Sequence, residues 1–191
     1  MYYIYVYICI IQVEVSLGNW EELFSVQQHQ NRMYPESFVL RAFLSQYPLR
    51  MVDTKPGQSV LDLSCGYGRN LPFLQSLGLK VFATEITDSF VQHLQRDFPT
   101  VSVSMGTCQS LPFEDMVLDG VMACNSCYYL DENSSFLDNL REIFRVLKPK
   151  GFFMGSMVAP RHSLIVDAPM DPDGSVVISS TQLNRRNSTD V

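Results

Sequence analysis

With 191 residues, 46% hydrophobic and 18% charged, the chain can build one domain with a proper core. A net charge of −6 excludes the broadly basic surface that displaces counterions from nucleic acid, so a nucleic-acid partner is disfavoured and a small or neutral substrate fits better. Five cysteines, at 9, 65, 108, 124 and 127, form no disulfide framework and read as free thiols of a reducing, cytoplasmic compartment. The single Cys124-x-x-Cys127 pair lacks the second pair that a structural zinc site needs, and no metal is expected.

In chain order, residues 1–15 hold the apolar run Tyr2–Ile11. It is shorter than the ~20 residues of a spanning helix and lacks the basic start and cleavage site of a secretory signal. It reads as an extra edge strand or as a leader outside the domain, and the leader reading is preferred. Asn19–Asn31 is polar and helical. Tyr34-Pro35-Glu36 opens the next helix with Pro35 in its first turn; Leu40, Phe43, Leu44 and Tyr47 face inward, and Pro48 ends it.

The apolar strand Val60–Leu63 runs into Ser64-Cys65-Gly66-Tyr67-Gly68-Arg69-Asn70 and then a helix with Pro72 near its start and Gly78 at its C-terminal end. Next come a strand over Lys80–Glu85 and a helix over Asp88–Asp97 that turns Phe90, Val91 and Leu94 inward. A strand over Val101–Ser104, the segment Met105–Phe113 and a strand over Val117–Cys124 follow. The last helix carries Phe136, Leu137, Leu140, Ile143, Phe144 and Leu147 on one stripe, and a fifth strand starts at Gly151. Strands alternating with amphipathic helices make an α/β, doubly wound, mostly parallel Rossmann-like sheet with helices on both faces. Right-handed crossovers then place a ligand at the carboxyl ends of the strands.

Glycines 66 and 68 allow backbone conformations closed to other residues, and the helix that follows offers unpaired N–H groups, the setting of a nucleotide-like cofactor. Leu71 stands where a dinucleotide fingerprint would have its third glycine, which speaks against a dehydrogenase. The form Asp62-Leu63-Ser64-Cys65-Gly66-Tyr67-Gly68 instead resembles the first motif of class I S-adenosylmethionine-dependent methyltransferases, D-x-G-x-G-x-G, with Ser64 at the first glycine. Four further stretches carry the resemblance, the first being the strand Lys80–Glu85 with its carboxylate at the carboxyl end. Gly106-Thr107-Cys108-Gln109-Ser110-Leu111-Pro112-Phe113 is similar to the family's G-D-A-x-x-L-P-F, with Thr107 in place of Asp. Val117-Leu118-Asp119-Gly120-Val121-Met122-Ala123-Cys124 looks like its fourth strand in the F-D-x-V form, and Leu140 to Gly151 is close to its helix followed by L-K-P-G-G.

The resemblance implies S-adenosyl-L-methionine as cofactor. Asp62, Ser64, Gly66, Gly68 and Asn70 would then lie at its methionine and ribose portion, Glu85 on the ribose hydroxyls, Thr107, Cys108 and Gln109 at the adenine and Cys124 beside the transfer site. It implies methyl transfer to an oxygen, nitrogen or carbon nucleophile of a small molecule, with a strand order 3-2-1-4-5-7-6 and strand seven antiparallel. No catalytic base stands out. Tyr34 and Arg32 are placed to cover the site, whereas His29 and His162 read as solvated. Asn125-Ser126-Cys127-Tyr128-Tyr129 lacks the prolines of amino-methylating DNA enzymes.

The methyltransferase core is expected over 16–157. The 34 residues after Met157, 158–191, hold a turn at Asp171–Gly174, one strand over Ser175–Ser180 and a loose polar stretch over Asn184–Val191. Strands 6 and 7 are thus expected to be incomplete, leaving strand five with an edge that the tail or the apolar leader would have to pair. The rival reading is a noncatalytic, truncated remnant that acts as a binding protein.

Overall fold

The computed structural model describes residues 3–6, 13–14, 34–45, 51–130, 135–157 and 176–177. In chain order these form β1 (Tyr3–Val6), β2 (Val13–Glu14), α1 (Ser37–Leu44), β3 (Ser59–Leu63), α2 (Leu71–Ser76), β4 (Lys80–Glu85), α3 (Asp88–Asp97), β5 (Ser102–Met105), β6 (Leu118–Cys124), α4 (Phe136–Val146), β7 (Leu147–Ser156) and β8 (Val176–Val177). The helix expected over Asn19–Asn31, the turn at Asp171–Gly174, the stretch Asn184–Val191 and residues Cys9, His29, Arg32, Tyr47 and His162 lie outside the described residues.

Six strands pair in the order β1-β7-β6-β3-β4-β5, every pair parallel. The reversal of order beside β3 brings the carboxyl ends of β3, β4 and β6 together, as expected of a Rossmann-like sheet. The family order differs at one edge. Where an antiparallel strand seven would flank β7, the N-terminal β1 lies parallel to it, Tyr3 opposite Phe152 and Val6 opposite Gly155. An open edge is a row of unpaired backbone donors and acceptors, and an apolar run of strand formers is suited to fill it. The strand expected over Ser175–Ser180 is present as Val176–Val177, paired with β2 in a separate two-stranded sheet.

The central strands are buried in continuous runs, and their alternate residues divide the core between the two faces of the sheet. Val60, Met122, Phe152 and Met154 pack with Val39, Phe43, Leu71, Leu74, Val91 and Leu94 of α1, α2 and α3. Leu61, Leu63, Val121, Ala123 and Phe153 face the other way, with Leu111 and with Ile143 and Val146 of α4. Gly120 is demanded by this packing, because a Cβ there would stand 2.2 Å from Cζ of Phe152.

Thr87 caps α3 by accepting from the Phe90 N–H at 3.4 Å, and Phe90, Val91 and Leu94 are its buried residues, as expected. Two helical stripes need correction. Pro35 precedes the N-cap Glu36 of α1 instead of lying in the first turn, and the buried face is Val39, Ala42 and Phe43, with Leu44 52% exposed at the last helical residue. On α4, Leu137 is 53% exposed in the first turn, while the polar Asn139 is fully buried. β7 begins at Leu147, four residues before the expected Gly151, because Leu147 pairs with Leu118 ahead of an irregularity in the ladder.

Candidate functional site

The turn after β3 is built from the ends of two parallel strands. The Cys65 N–H donates to the Thr84 carbonyl at 3.2 Å, extending the β3–β4 ladder by one step. Ser64 has φ +51, Gly66 φ +60 and Gly68 φ +77, so three of five residues from 64 to 68 are left-handed. For Ser64, which stands at the family's first glycine, that conformation is strained. Gly68 has a packing reason of its own, since a Cβ would meet Leu71 Cδ1 and Phe98 Cε2 at 2.7 Å. Its glycine therefore serves the joint between turn and α3 rather than a ligand alone.

Glu85 ends β4 with 6% exposure. Its Oε1 accepts from the Gly66 N–H at 2.5 Å and its Oε2 from the Ile86 N–H at 3.1 Å. Burial pushes the carboxyl up to about 7 against the pull of those two N–H donors. Asp62, at 1% exposure, lies under the turn and accepts from Asn70 Nδ2 at 3.4 Å. Burial lifts it to about 7 as well; Asn70 opposes this and the neighbouring Glu85 adds to it. Two carboxyls poised near neutrality thus sit beneath and beside one glycine turn, a concentration of perturbed acids typical of functional sites.

Asn70 is committed to a bridge. While its Nδ2 reaches Asp62, its Oδ1 accepts from the Glu36 N–H at 3.0 Å, and Arg69 pairs with the Glu36 carboxylate. This fastens the start of α1 to the glycine turn. Tyr34 precedes it at 72% exposure.

The segment after β5 is a tight turn. Thr107 and Ser110 exchange backbone hydrogen bonds at 3.2 Å, and Thr107 Oγ1 accepts from the Gln109 N–H at 3.3 Å. The hydroxyl that stands in place of the family's carboxylate thus accepts one bond within the turn and keeps its O–H as a donor. Cys108 needs correction as an adenine-facing residue: it is buried in the α4-side core, and its thiol donates to the Ser126 carbonyl at 3.5 Å. Gln109 differs, for its Nε2 is buried with no hydrogen-bond partner among the described residues. A buried orphan donor costs free energy until something accepts from it.

Cys124 closes β6 half-buried, its thiol pushed up by burial first and by the charge of Asp62 next. Beyond it the chain turns through Asn125 at φ +55. Ser126, which sequence reasoning did not single out, is buried and donates to the Leu63 carbonyl at 2.7 Å, joining this loop to the end of β3. Tyr128 and Tyr129 bring their hydroxyls to 3.5 Å, and burial raises both phenols. Among the described residues no cluster of three or more His, Cys, Asp or Glu side chains converges as a metal site would, and no helix is long and apolar enough to cross a membrane.

The site thus gathers Asp62, Ser64, Gly66, Glu85, Thr107, Gln109 and Cys124 at the carboxyl ends of β3, β4, β5 and β6. Two groups there keep hydrogen-bonding capacity, the buried Glu85 carboxyl as acceptor and the Gln109 Nε2 as donor.

Residues 61–155 match the profile of the family described as "Methyltransferase domain". An uncharacterized methyltransferase of Schizosaccharomyces pombe is 31% identical over 94 residues, covering 49% of this chain and 36% of that protein. A mitochondrial arginine-hydroxylase of Mus musculus is 32% identical over 100 residues, covering 51% of this chain and 28% of that protein. The chain thus spans about a third of the length of these curated relatives. Among solved structures, a SAM-dependent methyltransferase from Aquifex aeolicus superimposes with a TM-score of 0.55 at 20% identity over 81% of this chain and 79% of that one.

Proposed function

Since the chain belongs to the class I methyltransferase family through residues 61–155, we propose that it binds S-adenosyl-L-methionine and transfers a methyl group to an oxygen, nitrogen or carbon nucleophile of a small molecule. The observation that carries the reading is Glu85: a buried carboxyl at the end of β4, bonded to the glycine turn and held near neutrality. When bound, S-adenosylmethionine supplies an electrophilic methyl on a sulfonium.

The chain's own residues do the rest. Ionised Glu85 accepts from the ribose hydroxyls, and Gly66 keeps backbone close to the ligand. Gln109 Nε2 gives its unused hydrogen bond to the adenine ring, and Ser64 and Cys124 flank the methionine end. Asp62 and Asn70 act from below, holding the turn in shape and tying α1 over it. Positioning of this kind accounts for up to ~7–11 kcal/mol of a bimolecular barrier, so no conspicuous general base is required.

The mouse relative bears the name of a hydroxylase, and a fold does not set a reaction. Cofactor binding is therefore tested before acceptors are screened. Titration calorimetry of the purified chain against S-adenosylhomocysteine, with NAD as control, should show micromolar binding of the first only. A folded chain that binds neither would favour the second reading, a noncatalytic binding protein, which draws its support from the neutral Thr107 standing in place of the family's Asp.

A further inference from the structure

One face of α4 holds three polar side chains at 139, 142 and 145, a spacing that stacks them along a helix. Each is turned toward a loop of the site. Asn139, fully buried, donates through Nδ2 to the Cys127 carbonyl at 2.9 Å and to the Tyr129 carbonyl at 2.8 Å. Glu142 accepts from the Leu111 N–H at 2.7 Å. Arg145 spreads its guanidinium over four acceptors: Phe113 O and Asp115 Oδ1 at 2.8 Å, Leu111 O at 3.2 Å and the Glu142 carboxylate at 2.8 Å.

The backbone joins in, because the Met116 and Val117 N–H groups donate to the Arg145 and Val146 carbonyls at 2.9 and 3.0 Å. These are among the carbonyls a helix leaves unpaired at its end. The Glu142–Arg145 pair consequently grips the N–H and the carbonyl of Leu111, two residues after Gln109. A hydrophobic helix could pack on the sheet without any of these groups. Burying Asn139 costs free energy that the two Nδ2–carbonyl bonds offset in part, its Oδ1 being left without a hydrogen-bond partner among the described residues.

We propose that Glu142 and Arg145, seconded by Asn139, are positioning residues for the cofactor: through backbone contacts they set where the 107–113 turn and the 125–129 loop stand, and hence how strongly adenine is recognised. The inference rests on the proposed cofactor. Arg145 suits the task as a planar fork that satisfies several carbonyl oxygens at once, which the point charge of lysine does not.

The test is Arg145→Lys, which keeps the charge and the pairing with Glu142 but loses the fork. Two quantities are read against wild type: dissociation constants for S-adenosylhomocysteine and for its deaminated analogue S-inosylhomocysteine, and amide hydrogen exchange of 107–113 and of 64–70 without ligand. The expected result is about tenfold weaker S-adenosylhomocysteine binding, the worth of one charge-assisted hydrogen bond, with a smaller preference for adenine over hypoxanthine. Exchange should quicken in 107–113 and stay unchanged in 64–70.

A variant that melts earlier yet keeps the wild-type preference and exchange pattern would reduce Arg145 to a stability element and overturn the proposal. If the wild type binds neither nucleoside, the cofactor reading falls and the proposal with it as far as adenine is concerned; the exchange contrast then shows whether the clamp itself exists. Should Arg145→Lys fail to fold, Glu142→Gln, which keeps an acceptor for the Leu111 N–H, decides on the same readouts.

Discussion

Replacing Glu85 with glutamine should stabilise the unliganded protein at neutral and alkaline pH while weakening its ligand site. The carboxyl rises from its ordinary 4.5 to about 7 on folding, because burial disfavours the charged form. At ~1.4 kcal/mol per pH unit, ionised Glu85 costs the folded chain about 3 kcal/mol above pH 7. The sign follows from the direction. Below 4.5 the group is protonated both folded and unfolded and costs nothing; stability is lost progressively as pH rises through 7 and then levels. Glutamine carries no charge to desolvate and can still accept from the Gly66 N–H, but its amide meets the Ile86 N–H as a second donor, at a cost of about 1 kcal/mol.

The variant should therefore match or trail wild type slightly at pH 4 and exceed it by about 1–3 kcal/mol at pH 8. Urea unfolding followed by circular dichroism at four pH values measures the difference, and S-adenosylhomocysteine binding should weaken at least about tenfold, the loss of charge-assisted bonds. A stability difference that does not change between pH 4 and 8 would refute the account of a buried, ionising Glu85. Unchanged binding would remove its ribose role.

Other consequences are open to the same methods. Ser64→Gly and Lys150→Gly should each raise the melting temperature by about 2–4 °C, because φ values of +51 and +72 strain a side chain by ~1–2 kcal/mol and glycine's extra unfolded freedom cancels only part of that; a fall in either would contradict the strain. Gly120→Ala should cost about 1–3 kcal/mol in urea unfolding by overpacking against Phe152, and a neutral result would mean that β6 and β7 are less tightly apposed. Asn70→Asp sets a second carboxylate against Asp62, so its destabilisation should be larger at pH 8 than at pH 5; equal loss at both would show that the bridge to Glu36 alone matters.

What could be read in the chain was what is local. Phe90, Val91 and Leu94 declared the inner face of α3 because they dominate its apolar spacing, and the glycine turn and Glu85 could be placed at strand ends because each closes a short apolar strand. The α1 stripe was displaced because leucines outweigh alanine in a periodicity, yet it is Ala42 that approaches the sheet and Leu44 that lies past it. Asn139 was invisible for a deeper reason: its partners are the carbonyls of Cys127 and Tyr129, and a polar residue in a hydrophobic stripe is legible only once they are placed. The bridge from Asn70 to Glu36 spans 34 residues and the bond from Ser126 to Leu63 spans 63, so no motif could announce them. Ser64 and Lys150 are the converse case. Read as departures from a glycine pattern, they prove to hold the same left-handed backbone that glycine would.

The pairing of β1 with β7 bears on how the chain is made. Tyr3 leaves the ribosome roughly 150 residues ahead of Phe152, and at 5–20 residues per second its partner follows on the order of ten seconds later. During that interval an apolar strand former has nowhere to dock, and closing so long a loop makes this the costliest contact in the sheet to form early. Assembly should then proceed outward from β3 and β4, with β1 added last, and β1 would be the segment most dependent on chaperone cover.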